Sequence, residues 1–463
     1  MSYAELARRA ADVAGALVAA GIAPGDRVAL LSAKRRHDEP VALAGVLTAQ
    51  AIAVPLDASS PAGRLGTIVK QCGCRALVHD EPGAALAEAC AGDGLRLVLD
   101  EGGAIVASQG TALQVDAPAD PATACILHTS GSTGKPKAIP ISWAGLDAFT
   151  TWMIDLTELR PADRVLRVAE LVFDLSWFDH LATFRAGATL CTTSRRCLAT
   201  GRSLLGELET LAPTIVYGVP ALFTKLVAAL PEDQQLDPGL RVICFAGEVF
   251  PLAELRRLAA RAPRARLFNL FGPTETNVCT FHEVDRTALV QQPELPIGRP
   301  CPYAPCELVA DDGSVIAGPG IGELVVGGPT ALGGRCHTGD RVERGSDSLL
   351  YFRGRLDRLV KIQGYRLEPG EIEAALLDHP QVQEAAVVVA DHPRLGKTVQ
   401  AFVALRPADE PATSRALRQH LASRLAPYMV PGQITAVEAL PRTTTGKIDY
   451  PALQRHQDGL VAT

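Results

Sequence analysis

Leu127-His128-Thr129-Ser130-Gly131-Ser132-Thr133-Gly134-Lys135-Pro136-Lys137-Ala138-Ile139-Pro140 decides how the rest of this 463-residue chain is read. The apolar run leading into it, Thr123 to His128, has the length of a buried strand, and glycines, hydroxyls and lysines then crowd together. A loop of that composition offers backbone N–H groups, hydroxyls and cations to one anion, so a polyphosphate is the expected guest. It is not the P-loop of ordinary nucleotide hydrolases, which needs four residues between its glycines and Ser or Thr after the lysine. Here only Ser132 and Thr133 separate Gly131 from Gly134, and Pro136 follows Lys135. The plain alternative is a Gly/Ser surface turn, and the neighbouring segments decide between the two.

Working outward, 47% hydrophobic and 21% charged residues make a globular balance, and the length exceeds what one core organises, so two or more domains are expected. A net charge of −6 without a basic block argues against nucleic acid or an anionic membrane as partner and favours a small substrate. The eleven cysteines are scattered, and Cys72 with Cys74 and Cys301 with Cys306 lack zinc-ligand spacing, which suits reduced thiols in a cytoplasm. No apolar run reaches spanning length, and Met1-Ser2-Tyr3-Ala4-Glu5 leads into a helical pattern rather than a signal peptide.

Strand and helix patterns alternate from residue 4 to the loop and again beyond it, with strands expected at Arg27–Leu31, Arg75–Val78, Leu95–Leu99, Thr214–Tyr217, Arg241–Phe245 and Arg266–Leu270. Such alternation implies helix-covered, mostly parallel sheets. From Cys306 short strands divided by Gly and Asp form a β-rich piece, and the last hundred residues read as a small α+β domain. The expected fold is thus α/β, with a core at 1–355 and a C-terminal domain at 356–463, divided at Arg355-Leu356-Asp357.

Two further segments carry chemistry. Asn269-Leu270-Phe271-Gly272-Pro273-Thr274-Glu275-Thr276 follows a strand, where ligands sit in α/β sheets, and Glu275 is a candidate Mg²⁺ ligand. The alternative is a turn and helix start capped by Thr274. Asp340, in Thr338-Gly339-Asp340, offers a carboxylate to both hydroxyls of a ribose, although an isolated tripeptide of this kind is more often a turn.

In order and spacing these segments, with Val54-Pro55-Leu56-Asp57, Phe173-Asp174-Leu175-Ser176, Gly322-Glu323-Leu324, Gly354 to Glu373 and Pro441 to Asp449, resemble the adenylate-forming enzymes, and within them the adenylation domains of nonribosomal peptide synthetases. The resemblance implies a ligase: a carboxylate attacks the α-phosphorus of ATP, giving an acyl-adenylate and pyrophosphate, and a pantetheine thiol takes the acyl group. It assigns Thr129, Ser130, Gly131, Ser132, Thr133, Gly134, Lys135 and Lys137 to the β,γ-phosphates and Glu275 to Mg²⁺. Asn269, Phe271, Thr274 and Phe352 go to the nucleotide, Asp340 and Arg355 to the ribose, Lys447 to a catalytic bridge between substrate carboxylate and nucleotide, and Asp357 to a hinge about which the small domain swings.

The resemblance also makes Asp174 the partner of a substrate α-ammonium and sets Leu175, Phe178, Gly218, Cys244, Ala246, Leu270, Val278 and Cys279 around its side chain. No charge lines that pocket, so a charged side chain would be left unpaired. The expected substrate is a small apolar, alanine-like amino acid. A β-amino acid is the rival, with Asp179 as second amine anchor unless Asp179 is a helix N-terminal carboxylate. Family members usually carry a lead-in before Ser2-Tyr3 and a longer loop between Thr330 and Thr338. No carrier domain follows Pro451, so a free-standing enzyme loading a discrete carrier protein is expected. The competing readings are an acyl-CoA ligase and a catalytically inactive binding module.

Overall fold

The structure, a computed structural model, describes residues 1–33, 37–114, 120–131, 136–231, 233–362, 364–392, 396–407, 410–442 and 448–461. Proximity of Cα atoms divides the chain into two units. Met1–Ala58, Val69–Leu127 and Ala138–Asp357 form the first; Ser59–Ile68, His128–Lys137 and Arg358–Thr463 form the second. The division thus falls two residues past Arg355 and gives the second unit two stretches that the sequence pattern groups with the core.

The first unit is α/β. One seven-stranded sheet has the order Ile105–Gln109, Leu95–Leu99, Cys74–Asp80, Arg27–Leu31, Ile52–Pro55, Thr123–Thr129, Lys137–Ser142. The other runs Arg299–Pro300, Thr280–Glu283, Arg266–Phe271, Val242–Phe245, Ile215–Gly218, Arg164–Leu166, Thr189–Cys191. The inner strands pair in parallel and antiparallel strands close one edge of each sheet, as helix-linked crossovers require. Helix Tyr3–Ala19 shows how closely the covering layer packs: Ser2 Oγ caps it by accepting from Glu5 N at 3.2 Å. A Cβ on Gly45 of helix Asp38–Thr48 would lie 2.6 Å from Val13, so glycine is what lets the two helices approach.

The second seven-stranded sheet buries both faces, which gives its side chains two destinations. Ile215, Tyr217, Val242, Cys244, Phe268 and Leu270 join one core, while Val216, Ile243, Phe245 and Leu267 join the other. This is the two-residue alternation of a strand.

The β-rich piece is a four-stranded sheet, Cys306–Val309, Gly320–Gly327, Arg335–Arg344 and Leu350–Arg355, antiparallel throughout. Arg335–Arg344, read from sequence as a loop and an isolated turn, is a ten-residue strand. Its buried side carries Thr338, Asp340 and Val342, so no apolar alternation marks it.

The second unit is α+β: a hairpin Val360–Ile362/Tyr365–Leu367, helices Pro369–Leu377, Ser414–Ala422 and Tyr450–Val461, and a three-stranded sheet of Val382–His392, Gly396–Leu405 and Gln433–Val437. All eleven cysteines are free, and among the described residues no helix is long and apolar enough to cross a membrane.

Candidate functional site

In the first unit, Phe178, Cys244, Ala246, Leu270, Val278 and Cys279 are buried in one core, with Leu175 packed against it. Seven of the eight side-chain residues expected around the substrate thus belong to that core, which runs through the whole unit from Val13 to Leu350. Gly218 is the exception. It sits in register with Phe245, and a Cβ on it would meet Leu222, Val168 and Phe223, on the opposite face of the sheet. One residue earlier, Tyr217 faces the shared core, 1% exposed, its ring edge-on to Phe178 with centroids 5.9 Å apart. Strand alternation counted from Ile215 puts Tyr217 rather than Gly218 on the side of that core. Burial drives the Tyr217 phenol far above its ordinary pKa, and the charges of Asp174 and Asp179 add to that. The phenol is therefore neutral and within electrostatic reach of both carboxylates.

Asp174 is half-buried in the turn before a short π-helical segment, Phe178–Ala182. A single π turn re-aims successive side chains and recurs at functional sites. Asp179 lies in its first turn and is fully buried. Tyr303 packs against the same core: its hydroxyl donates to Val278 O at 2.6 Å and its ring meets Trp152 edge-on at 5.6 Å.

Of the nucleotide candidates in this unit, Arg266–Phe271 carries Asn269 and Phe271, and Leu350–Arg355 carries Phe352 and Arg355. Phe271 and Phe352 tilt against each other with centroids 5.8 Å apart. Asn269, in register with Phe245, donates to Pro296 O at 2.8 Å. Gly272 is required, since a Cβ there would stand 1.7 Å from Asn277 O. No helix follows Pro273-Thr274-Glu275, so Thr274 caps nothing; Thr276 N instead turns back to Pro273 O at 2.9 Å. Glu275 is 6% exposed, and its carbonyl accepts from Leu332 N at 2.8 Å, so the short 330–338 loop props it from behind.

Asp340 and Arg355 are cross-strand partners. Arg355 Nη1 donates to Asp340 Oδ1 at 2.6 Å, while Nε and Nη2 grip Asp357 at 2.6 and 2.8 Å. Burial works against the guanidinium's charge, but the bonds to Asp357 and Asp340 more than offset it, so its pKa is raised. Gly339 has φ of +70°, and a Cβ there would stand 2.8 Å from Arg355 Nη2, so glycine at this bulge lets the pair close.

In the second unit, Thr129 is 8% exposed and its hydroxyl has no hydrogen-bond partner among the described residues. An orphaned buried hydroxyl at the mouth of the loop fits a ligand oxygen. Ser130 Oγ donates to Arg366 O at 2.9 Å and accepts from Glu368 N at 3.0 Å. Gly131 is buried and Lys137 exposed. Burial, helped by the charge of Arg64, pushes His128 down to about 4, so it is neutral at pH 7. Ser132, Thr133, Gly134, Lys135 and Lys447 lie outside the described residues.

The family model for AMP-binding enzymes matches residues 1–334, and that for the AMP-binding enzyme C-terminal domain matches residues 371–447. The chain belongs to the AMP-binding enzyme family. This AMP-binding enzyme is 35% identical to an L-proline–[L-prolyl-carrier protein] ligase of Streptomyces coelicolor, over 98% of this chain and 91% of the relative. It is also 35% identical to one of Pseudomonas fluorescens, over 99% and 95%. In fold it is similar to the amide bond synthetase McbA of Marinactinospora thermotolerans, with a TM-score of 0.86, 23% identity and coverage of 98% and 95%. Like its relatives, this AMP-binding enzyme is a ligase.

Proposed function

We propose that this AMP-binding enzyme adenylates a small apolar amino acid, L-proline first, and passes the aminoacyl group to the phosphopantetheine thiol of a separate carrier protein in the cytoplasm. The observation that carries the reading is Asp174, half-buried and within electrostatic reach of Tyr217, in the unit whose core holds Phe178, Cys244, Ala246, Leu270, Val278 and Cys279. A carboxylate there pairs with an ammonium, and the pocket admits an apolar side chain of limited size. Two relatives aligned over nearly the whole chain are named for L-proline, which supports putting proline ahead of alanine. Proline's secondary ammonium keeps two N–H donors for Asp174, and its ring is apolar and compact.

In the proposed reaction the amino-acid carboxylate attacks the α-phosphorus of ATP and pyrophosphate leaves. Two anions must be brought together in line, so positioning and charge neutralisation dominate. Thr129 to Lys137 hold the departing phosphates, with Lys135 as cation. Asn269, Phe271, Thr274 and Phe352 take the base, Asp340 the ribose, with Arg355 holding Asp340, and Lys447 bridges carboxylate and nucleotide. Glu275 fits Mg²⁺, an ion that takes few protein ligands and completes its shell with water and phosphate. When bound, the ion neutralises charge on the phosphates. The carrier thiol then attacks the adenylate carbonyl and AMP leaves. The region around Asp357 is the hinge between the two steps.

Amino-acid-dependent exchange of pyrophosphate into ATP tests this, run with L-proline, L-alanine, β-alanine, an aryl acid and a fatty acid. The reading expects L-proline to give the strongest signal. A β-alanine signal moves the amine anchor to Asp179, fatty-acid turnover supports an acyl-CoA ligase, and silence supports a binding module.

A further inference from the structure

Ser130 sits in the loop read as the phosphate cradle, yet its hydroxyl is already engaged: it gives its one proton to Arg366 O and accepts from Glu368 N. To donate to a phosphate oxygen it must leave Arg366. The same segment is fastened a second time, because Glu371, in the first turn of helix Pro369–Leu377, pairs with Arg64 Nη1. Their side chains are 0% and 9% exposed, and Glu371 Oε2 has no other partner among the described residues. A buried ion pair that costs desolvation on both sides is poor evidence for stability alone, and holding one particular arrangement is the role it is suited to.

We propose that Ser130 with Arg366 and Glu368, and Arg64 with Glu371, form a clasp that closes only when the β,γ-phosphates are absent, so that Arg64 and Glu371 are positioning residues for thiol transfer rather than for adenylation. The inference rests on the proposed function. The step served is attack of the thiol sulfur on the adenylate carbonyl: a C–S bond forms, the bond from carbon to the phosphate oxygen breaks, AMP leaves with its electron pair, and the thiol proton passes to solvent. Clasp and triphosphate compete for the same hydroxyl, so each weakens the other reciprocally.

The experiment uses Glu371→Gln, which keeps size and removes charge, and Arg64→Met. Binding of α,β-methylene-ATP and of AMP is measured by calorimetry, and two half-reactions separately: pyrophosphate exchange, and transfer from synthetic L-prolyl-adenylate to free pantetheine. Both variants are expected to bind the triphosphate several-fold more tightly with AMP affinity unchanged, to exchange pyrophosphate at the wild-type rate, and to transfer to pantetheine about tenfold more slowly. The doubly swapped Arg64→Glu/Glu371→Arg protein is expected to recover part of the transfer. Unchanged triphosphate affinity, or equal loss in both half-reactions, overturns the clasp. Wild-type protein that binds neither nucleotide overturns the functional reading instead.

Discussion

The ring of Tyr217 stands edge-on to that of Phe178, their planes at 74°. Both are buried to 1% exposure or less, and under the proposed function they limit how deep a side chain enters past Asp174. Replacing Tyr217 with Ala therefore enlarges the pocket. Catalytic efficiency with the small substrate is expected to fall about 10- to 100-fold, because each lost apolar contact is worth about 1–3 kcal/mol. Preference is expected to move toward Leu or Phe, read as kcat/KM ratios in pyrophosphate exchange; Gly218→Ala, which meets Leu222 on the other face, is expected to leave the ranking unchanged.

Arg355 joins Asp340 to Asp357 through three hydrogen bonds of 2.6 to 2.8 Å. Lysine cannot reproduce that fork. Arg355→Lys is expected to raise the KM for ATP about tenfold or more, in line with about 1.5–3 kcal/mol for a bond to a charged group, with the amino-acid KM little changed. Initial-rate kinetics with each substrate varied in turn checks the split.

Asp163 fixes the second sheet from below. It is 2% exposed and accepts from Arg241 Nη2 at 2.6 Å, Arg241 Nε at 2.9 Å and Thr214 Oγ1 at 2.7 Å. Burial alone would raise its pKa, but these bonds hold it below the ordinary value. Asp163→Ala leaves Arg241 without its carboxylate and is expected to cost about 3–5 kcal/mol in urea unfolding.

His128 gives a pH signature. Its folded pKa, pushed down to about 4, lies below the ordinary value, so between the two the unfolded chain binds more protons and folding weakens as pH falls. Wild-type protein is expected to lose about 2 kcal/mol from this group between pH 7 and 5, a loss absent from His128→Asn. Parallel denaturant titrations at the two pH values measure the difference.

The alternating α/β pattern was legible because buried strands such as Thr123–Thr129 are apolar runs, and most expected strands agree with the observed ones to within a residue or two. Asp340 and Arg355 were legible as chemistry, but their strand was not, because its inward side is partly polar. Tyr217 and Gly218 fall on opposite faces of their strand, a difference that motif spacing does not show because the pleat decides which of two neighbours faces a given core. The alternative of Thr274 as a helix cap rests on the cap chemistry of Gly-Pro-Thr-Glu, yet the chain turns back on Pro273 instead. The Ser130 clasp joins residues 236 and 238 positions apart, and no local pattern encodes such a pairing.

The central claim is that Asp174 selects an amine. Pyrophosphate exchange with L-proline and with cyclopentanecarboxylate, a ring of the same size without the nitrogen, tests it most directly. The account predicts strong exchange with L-proline, none above background with cyclopentanecarboxylate, and loss of the L-proline signal in Asp174→Ala. Equal exchange with both acids, or an Asp174→Ala enzyme that still prefers L-proline, would contradict it.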